Sequence, residues 1–124
     1  MEGVIHKKIS PIHEDERRAI IEIFNGGFNA KQLKILKIKK DSILGNHYHH
    51  YRQFFYFLKG NSKYTFLNIN TNERFEIDIK EGDLIIIDPF IAHKTMQKAG
   101  NVIIEGNEEK YISPEVDDIK YEIT

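Results

Sequence analysis

Three of the six histidines in this 124-residue chain fall within the short segment Gly45–His50. In an extended strand, positions i and i+2 point to the same face and lie about 6.5–7 Å apart, so the side chains of His47 and His49 can converge on one point. Tyr48 and His50 then face the other way. Imidazole is the commonest protein metal ligand, and its ordinary pKa suits proton transfer near neutral pH. The segment therefore predicts either a metal centre or a general base.

Two further side chains are candidates for the same site. Gln53 begins the next apolar stretch and can present its amide oxygen beside the histidines. A buried strand over Leu84–Ile87 is flanked by turn residues at Gly82–Asp83 and Asp88–Pro89. His93 comes next, at the head of a following strand. Two separated elements thus bring imidazole to a common interior.

The elements that carry these residues are predicted to be strands. In Arg74–Lys80 apolar residues alternate strictly with charged ones, which is the pattern of a strand with one buried and one solvated face. The other predicted strands are Ala19–Phe24, Gln32–Ile38, Phe54–Leu58, Tyr64–Ile69, Leu84–Ile87 and Val102–Glu105. A helix over Glu14–Phe24 is the one open alternative, and helix content is predicted below about 15%. About eight to ten short strands with tight turns predict an all-β sandwich or closed barrel in one domain.

Composition argues against several classes of partner. The chain has 18 Lys and Arg against 19 Asp and Glu, scattered along its length, so no strong field attracts a nucleic acid. No apolar run approaches the roughly 20 residues that cross a bilayer, and no secretory signal is recognisable, so no membrane partner is expected. With no cysteine the chain has neither disulfides nor thiolate metal sites, which agrees with a cytoplasmic location. Any metal must be held by nitrogen and oxygen.

The segment Gly45–Gly60 resembles the first motif of the cupin superfamily, in which a glycine precedes two histidines one residue apart, a glutamate and a second glycine. Gln53 stands at the position of the glutamate. The segment Gly82–His93 is similar to the second cupin motif, which ends on the histidine. The resemblance covers about residues 32–105. It implies a double-stranded β-helix, also called a jelly-roll barrel, with the histidines inside and the whole chain as a single domain.

A narrower resemblance concerns activity. Residues Asp15–Arg17, followed by two strands and the histidine motif, look like the cupins that remodel nucleotide-linked 4-keto-6-deoxy sugars, which are 3,4-ketoisomerases and 3,5-epimerases. This resemblance implies an enzyme that moves a proton next to the carbonyl of a keto sugar. His49 would be the catalytic base, and His47 would hold it or donate to the sugar oxygen. Arg17 becomes a candidate contact for the phosphate of the substrate.

A metal hypothesis stays open beside proton transfer. As in metal-binding cupins, His47, His49 and His93 would hold one divalent ion together with Gln53. Three nitrogens and one amide oxygen suit Zn, Fe, Ni, Cu or Mn rather than Ca or Mg, and would support other chemistry such as that of a dioxygenase. One nitrogen cannot be both a ligand and a free base. A third alternative is a non-catalytic cupin that binds a sugar or another small effector.

The aromatic stretch Phe54–Phe57 places bulky rings on both faces of one strand, although only one face can line a barrel. The other face predicts contact with a second copy of the chain, so a homodimer is expected. A stacking surface for a ligand is the alternative interpretation. It makes Tyr56 a second candidate for substrate binding.

Overall fold

The computed structural model describes residues 1–124 and contains twelve strands and one helix. In chain order these are β1 Val4–Lys8, β2 His13–Glu14, β3 Ala19–Ile20, β4 Gln32–Lys37, β5 Ser42–Tyr48, β6 Gln53–Lys59, β7 Ser62–Asn68, β8 Arg74–Ile79, β9 Asp83–Ile87, β10 Ile91–Gln97, β11 Val102–Asn107, α1 Pro114–Asp117 and β12 Ile119–Lys120. Half of the residues lie in strands and 3% in the helix, which confirms an all-β chain with little helix. No helix is long and apolar enough to cross a membrane.

The strands form two five-stranded antiparallel sheets, with the orders β1-β9-β6-β11-β4 and β12-β5-β10-β7-β8. A separate hairpin joins β2 to β3. Neighbours within a sheet are mostly distant in the chain, because the chain crosses repeatedly from one sheet to the other. This connectivity is that of a jelly roll, and it confirms the predicted barrel. Both sheets extend beyond residues 32–105, since β1 pairs with β9 and β12 pairs with β5.

Six of the seven predicted strands are present, with ends within two residues of the predicted bounds. The exception is Ala19–Phe24, of which only Ala19–Ile20 pairs as a strand. The alternative helix over Glu14–Phe24 is absent as well. The apolar residues Ile23 and Phe24 misled the prediction because they pack as irregular chain on the outside of the first sheet.

The main core lies between the two sheets. Its members are Phe55, Phe57, Tyr64, Phe66, Ile79, Ile85, Ile87, Ile91 and Ile103. Burial of each such side chain contributes about 1.5–3 kcal/mol relative to exposure, so this layer holds the sheets together. The ring of Phe55 also lies 6.1 Å from the ring of His93, centroid to centroid. The core and the histidines therefore share the barrel interior.

A second apolar cluster lies on the outer face of the first sheet. It consists of Phe54, Tyr56, Leu84 and Ile86, and the residues packed over it are Ile9, Ile23, Phe24, Phe28 and Ile104. The strands β6 and β9 are thus buried on both faces. The second face of the aromatic stretch Phe54–Phe57 is covered by the chain itself, so the stretch does not by itself require a partner subunit.

Gly45 allows β5 and β10 to approach each other next to the histidines. Its φ angle is 97°, and a Cβ atom there would lie 2.5 Å from the carbonyl oxygen of His93. Gly100 also has a positive φ, of 92°, but a Cβ atom there meets nothing within 4 Å. We expect Gly45→Ala to lower the free energy of unfolding by about 2 kcal/mol more than Gly100→Ala, because only the first adds a clash to the strained backbone. Urea unfolding of both variants measures the difference, and equal losses would contradict it.

Candidate active site

The structure brings His47, His49 and His93 together inside the barrel. His47 in β5 pairs directly with His93 in β10. The ring centroids lie 4.6 Å apart for His47 and His49, 4.8 Å for His47 and His93, and 5.5 Å for His49 and His93. His50 is exposed and lies against Tyr48 and Phe90. Just past the end of β5, His49 therefore points inward and His50 points outward.

Only one of the two ring nitrogens of His49 has a hydrogen-bond partner. Its Nδ1 bonds the main-chain carbonyl of Asp117, and the carboxylate oxygen Oδ1 of Asp118 lies 3.5 Å from the same nitrogen. A carbonyl can only accept, so Nδ1 carries the proton and Nε2 carries the lone pair. The Nε2 atom is buried and has no hydrogen-bond partner. The ring of Tyr51 stacks on the imidazole, with centroids 4.8 Å apart. This arrangement leaves one free, oriented base.

The electrostatics of the site keep all three imidazoles neutral. Burial lowers the pKa of His47 to about 4, with a contribution from His49 and an opposing one from Asp118. Burial also holds the pKa of His93 well below its ordinary value, and His47 and His49 add to this effect. The pKa of His49 is lowered by burial, against the opposing bond to the Asp117 carbonyl. At neutral pH each ring can therefore accept a proton or bind a metal ion.

Gln53 faces the barrel interior, and its amide nitrogen donates to two side chains. The acceptors are Asn107 Oδ1 at 2.9 Å and Glu105 Oε1 at 3.3 Å. The amide oxygen of Gln53 is buried without a partner. The other oxygen of Glu105 lies 3.5 Å from Nζ of Lys34, and burial raises the pKa of this carboxyl although Lys34 opposes the shift.

Two cavities meet at the histidines. We name the first, of about 230 Å³, the apolar compartment; its apolar lining residues are Leu36, Leu44, Phe55, Tyr64 and Ile103. We name the second, of about 160 Å³, the polar compartment; the residues that only it contains are Lys34, His49, Tyr51, Gln53, Asn107, Tyr111 and Asp118. His47 and Glu105 line both compartments. A bound ligand can therefore place a polar part and an apolar part on either side of His47.

Two predicted substrate contacts lie elsewhere. Arg17 sits in the turn between β2 and β3, where its side chain is 76% exposed and lies 3.5 Å from the carboxylate of Asp15. Tyr56 is 2% exposed and belongs to the outer cluster. Because Gln53 points inward, strand alternation turns Tyr56 to the opposite face. The structure does not bring either residue to the histidines.

Several residues of the site were not predicted from the sequence. One feature of the sequence could have identified Glu105, because it is the single charged residue at the end of the apolar run Val102–Glu105. Asp117 and Asp118 gave none, because their contact with His49 depends on how the C-terminal segment folds back. Tyr51 lies in the irregular chain between β5 and β6, where no periodicity indicates which side chain is buried.

The donor set fits a mononuclear metal ion of the kind that metal-binding cupins hold. The candidate ligand nitrogens of the three histidines lie within 4.8 Å of one another. Nε2 of His49 and Oε1 of Gln53 are buried without partners, which is costly unless something binds there. The bond from Nδ1 of His49 to a carbonyl is also the usual outer support of a metal-binding histidine. The same residues thus fit both a free base and a metal site.

Comparison with solved structures supports the fold. A sugar 3,4-ketoisomerase from Thermoanaerobacterium thermosaccharolyticum, solved with TDP, is 22% identical, with a TM-score of 0.80 over 97% of this chain and 89% of that chain. A mutant of it has been solved with TDP-4-keto-6-deoxyglucose. The dTDP-4-dehydrorhamnose 3,5-epimerase from Sulfolobus tokodaii is 18% identical, with a TM-score of 0.77 over 94% of this chain and 76% of that one.

A third structure shares the fold, and the family model identifies the family. The capsular polysaccharide assembling protein CapF from Staphylococcus aureus is 20% identical, with a TM-score of 0.67 over 90% of this chain but 32% of its own. No curated protein sequence matches the chain. The family described as polysaccharide biosynthesis C-terminal domain matches residues 13–109, which is most of the chain. The protein therefore belongs to the polysaccharide biosynthesis C-terminal domain family and has the cupin fold of the sugar ketoisomerases and epimerases.

Proposed function

We propose that this protein is an isomerase or epimerase of a keto sugar, with the sugar linked to a nucleotide. The observation that carries the proposal is the state of His49. Its imidazole is neutral and lines a cavity, and its buried Nε2 atom has no hydrogen-bond partner. A histidine in this state is the side chain that most often acts as a general base. The shared fold with an enzyme that binds TDP-4-keto-6-deoxyglucose supports the nucleotide-linked sugar as substrate.

The reaction is a proton transfer next to a carbonyl. The C–H bond beside the carbonyl breaks, its proton passes to Nε2 of His49, and its electron pair moves to the carbonyl oxygen to form an enolate. Delivery of a proton to the other face of the same carbon, by an acid on that side, gives an epimer. If the hydroxyl group on that carbon passes its proton to the former carbonyl oxygen, return of the first proton from His49 to the former carbonyl carbon gives the isomeric ketone. The Asp118 carboxylate, 3.5 Å from Nδ1, stabilises the imidazolium that forms in between.

Neighbouring side chains supply what the enolate needs. His47 is neutral, so it has one N–H that can donate to the developing oxyanion, whereas Nδ1 of His93 lies 3.4 Å from the carbonyl oxygen of Ile91 and donates there. The apolar compartment lies against these two rings and fits the hydrocarbon part of a sugar, such as a methyl group. Its apolar walls lower the local dielectric constant, which strengthens each hydrogen bond to the oxyanion.

Exchange of substrate protons with solvent tests the proposal. The protein is mixed with TDP-4-keto-6-deoxyglucose in deuterated buffer, and proton NMR follows the signals at the carbons beside the carbonyl. Loss of one of these signals, together with a new ketone or epimer, supports the proposal. Binding of the sugar nucleotide without any exchange supports a non-catalytic sugar-binding cupin instead. If the protein neither binds the sugar nucleotide nor exchanges its protons, the keto-sugar assignment is overturned.

The second candidate function is a mononuclear metal enzyme, which the cluster of three histidine nitrogens favours. His47, His49 and His93 would hold Zn, Fe, Ni, Cu or Mn, and Gln53 would add its oxygen. A bound ion would act as a Lewis acid on a carbonyl or bind oxygen for other chemistry. Elemental analysis of protein purified without metal-affinity resin decides this: about one ion per chain supports it, whereas metal-free protein with full activity excludes it.

The protein is further proposed to work in the cytosol as a homodimer. The support for a dimer is β4, which forms an open edge of the first sheet. On this strand Leu33 and Ile35 are 69% and 64% exposed, more than an isolated chain in water favours. Sedimentation at micromolar concentration measures the mass, and a monomer there would contradict the dimer.

A further inference from the structure

The histidine that carries the proposed chemistry is held by a segment outside the family match. The match ends at residue 109, yet Nδ1 of His49 donates to the carbonyl of Asp117. Asp118 places a carboxylate oxygen 3.5 Å from the same nitrogen. The C-terminal residues therefore decide which ring nitrogen of His49 keeps its lone pair.

The side chain of Asp117 closes the loop that presents this carbonyl. Asp117 is 4% exposed, and its Oδ2 atom accepts the main-chain N–H groups of Ile112 at 2.7 Å and Ser113 at 2.8 Å. The main-chain N–H of Asp117 donates back to the carbonyl of Ser113 at 2.9 Å. Hydrogen bonds to an ionised carboxylate are about twice as strong as neutral ones, so the carboxylate fixes the path of the loop.

The chain after Asp117 is anchored to the strand that carries the histidines. Ile119 pairs with Tyr48, and Lys120 pairs with His47, so β12 extends the second sheet beside β5. Asp117 is thus restrained on both sides along the chain. Its carboxylate binds residues 112 and 113 before it, and strand pairing holds residues 119 and 120 after it. Its carbonyl has little freedom to move away from His49.

We infer that Asp117 is a positioning residue of this site: its carboxylate orders residues 112–117 so that its carbonyl holds His49 as the Nδ1–H tautomer. Nε2 is then left free to take the proton of the substrate. Asp117 does not touch the substrate, and it acts through His49. The inference deepens the proposed function and rests on it for the measurement of turnover, but the tautomer of His49 can be measured without any substrate.

Two variants test the inference. Asp117→Ala removes both bonds of the carboxylate, and we expect kcat to fall about 10- to 100-fold with KM nearly unchanged, the usual effect of removing a group that orients a functional histidine. Nitrogen-15 NMR should show His49 as a mixture of tautomers in this variant. Asp117→Asn keeps an oxygen acceptor for the two N–H groups and should recover most of kcat and the single tautomer. Glu115→Ala, on the exposed side of α1, is the control and should change neither.

Each outcome bears on a separate claim. An Nε2–H tautomer of His49 in the unaltered protein overturns the inference, whatever the variants do, and this measurement still decides if Asp117→Ala fails to fold. Unchanged kcat and tautomer in a folded Asp117→Ala protein also overturn it. If Asp117→Ala disturbs the tautomer but the unaltered protein exchanges no proton of a keto sugar, the positioning role stands and the proposed function fails.

Discussion

Replacement of His49 by asparagine should lower the rate of substrate proton exchange about 10²–10⁴-fold, which is the usual contribution of a positioned general base. Asparagine is chosen because its amide nitrogen lies close to the position of Nδ1. It can keep the bond to the Asp117 carbonyl while the base at Nε2 is lost. Exchange in deuterated buffer measures the rate, and thermal unfolding confirms that the variant is folded.

His50→Asn is the matched control for this experiment. His50 neighbours His49 in the chain but is exposed on the outside of the barrel, against the ring of Phe90. We expect this variant to keep both the exchange rate and any bound metal. If His50→Asn abolishes exchange while His49→Asn leaves it intact, the inward and outward assignments are reversed and the site is wrong.

The positions of His47 and His49 could be predicted because strand alternation is a local rule. Residues two positions apart in an extended segment point to the same face, whatever the rest of the chain does. His93 required more, since its position depends on the register that pairs it with His47 across β5 and β10. The cupin motif carried that information, whereas the spacing of the residues in the sequence did not.

The same rule explains why Tyr56, a predicted substrate contact, lies away from the histidines. Once Gln53 and Phe55 point into the barrel, Tyr56 must point out, and part of its apolar cover comes from the first 28 residues of the chain. Those residues carry no regular pattern, because most of them cover the sheet without pairing. The contact of Asp117 with His49 joins residues 68 positions apart and was unpredictable for a similar reason.

The second large effect concerns acid. Acidification from pH 7 to pH 4 should lower the free energy of unfolding by on the order of 3 kcal/mol through His47 alone, whose pKa is about 4 in the folded protein and 6.5 without burial. Above pH 7 the ring of His47 is neutral in both the folded and the unfolded protein, so it does not lower the free energy of unfolding. Below pH 6.5 the ring of His47 binds a proton in the unfolded chain but not in the folded one, so the free energy of unfolding falls as the pH falls.

Neighbouring groups modify this loss in known directions. His49 and His93 also have lowered pKa values, so both add to the loss in the same window. Glu105 acts in the opposite sense, because burial raises its pKa and the folded chain binds that proton first. Asp15 has a lowered pKa, and its contribution is lost only below the ordinary value of 3.8, outside this window. The three histidines should therefore dominate between pH 6.5 and pH 4.

Urea unfolding at pH 7, 6, 5 and 4, in the presence of a chelator so that no ion competes with protons, measures the loss. His47→Gln removes the group and should flatten the curve by about 3 kcal/mol between the two ends. Tyr51→Phe is the control: it removes a hydroxyl whose pKa is raised by burial, which does not titrate in acid, so its curve should run parallel to that of the unaltered protein. A curve that stays flat down to pH 4 in the unaltered protein would mean that the histidines are open to water or charged. Neither state is compatible with a free base at Nε2 of His49 in a closed barrel.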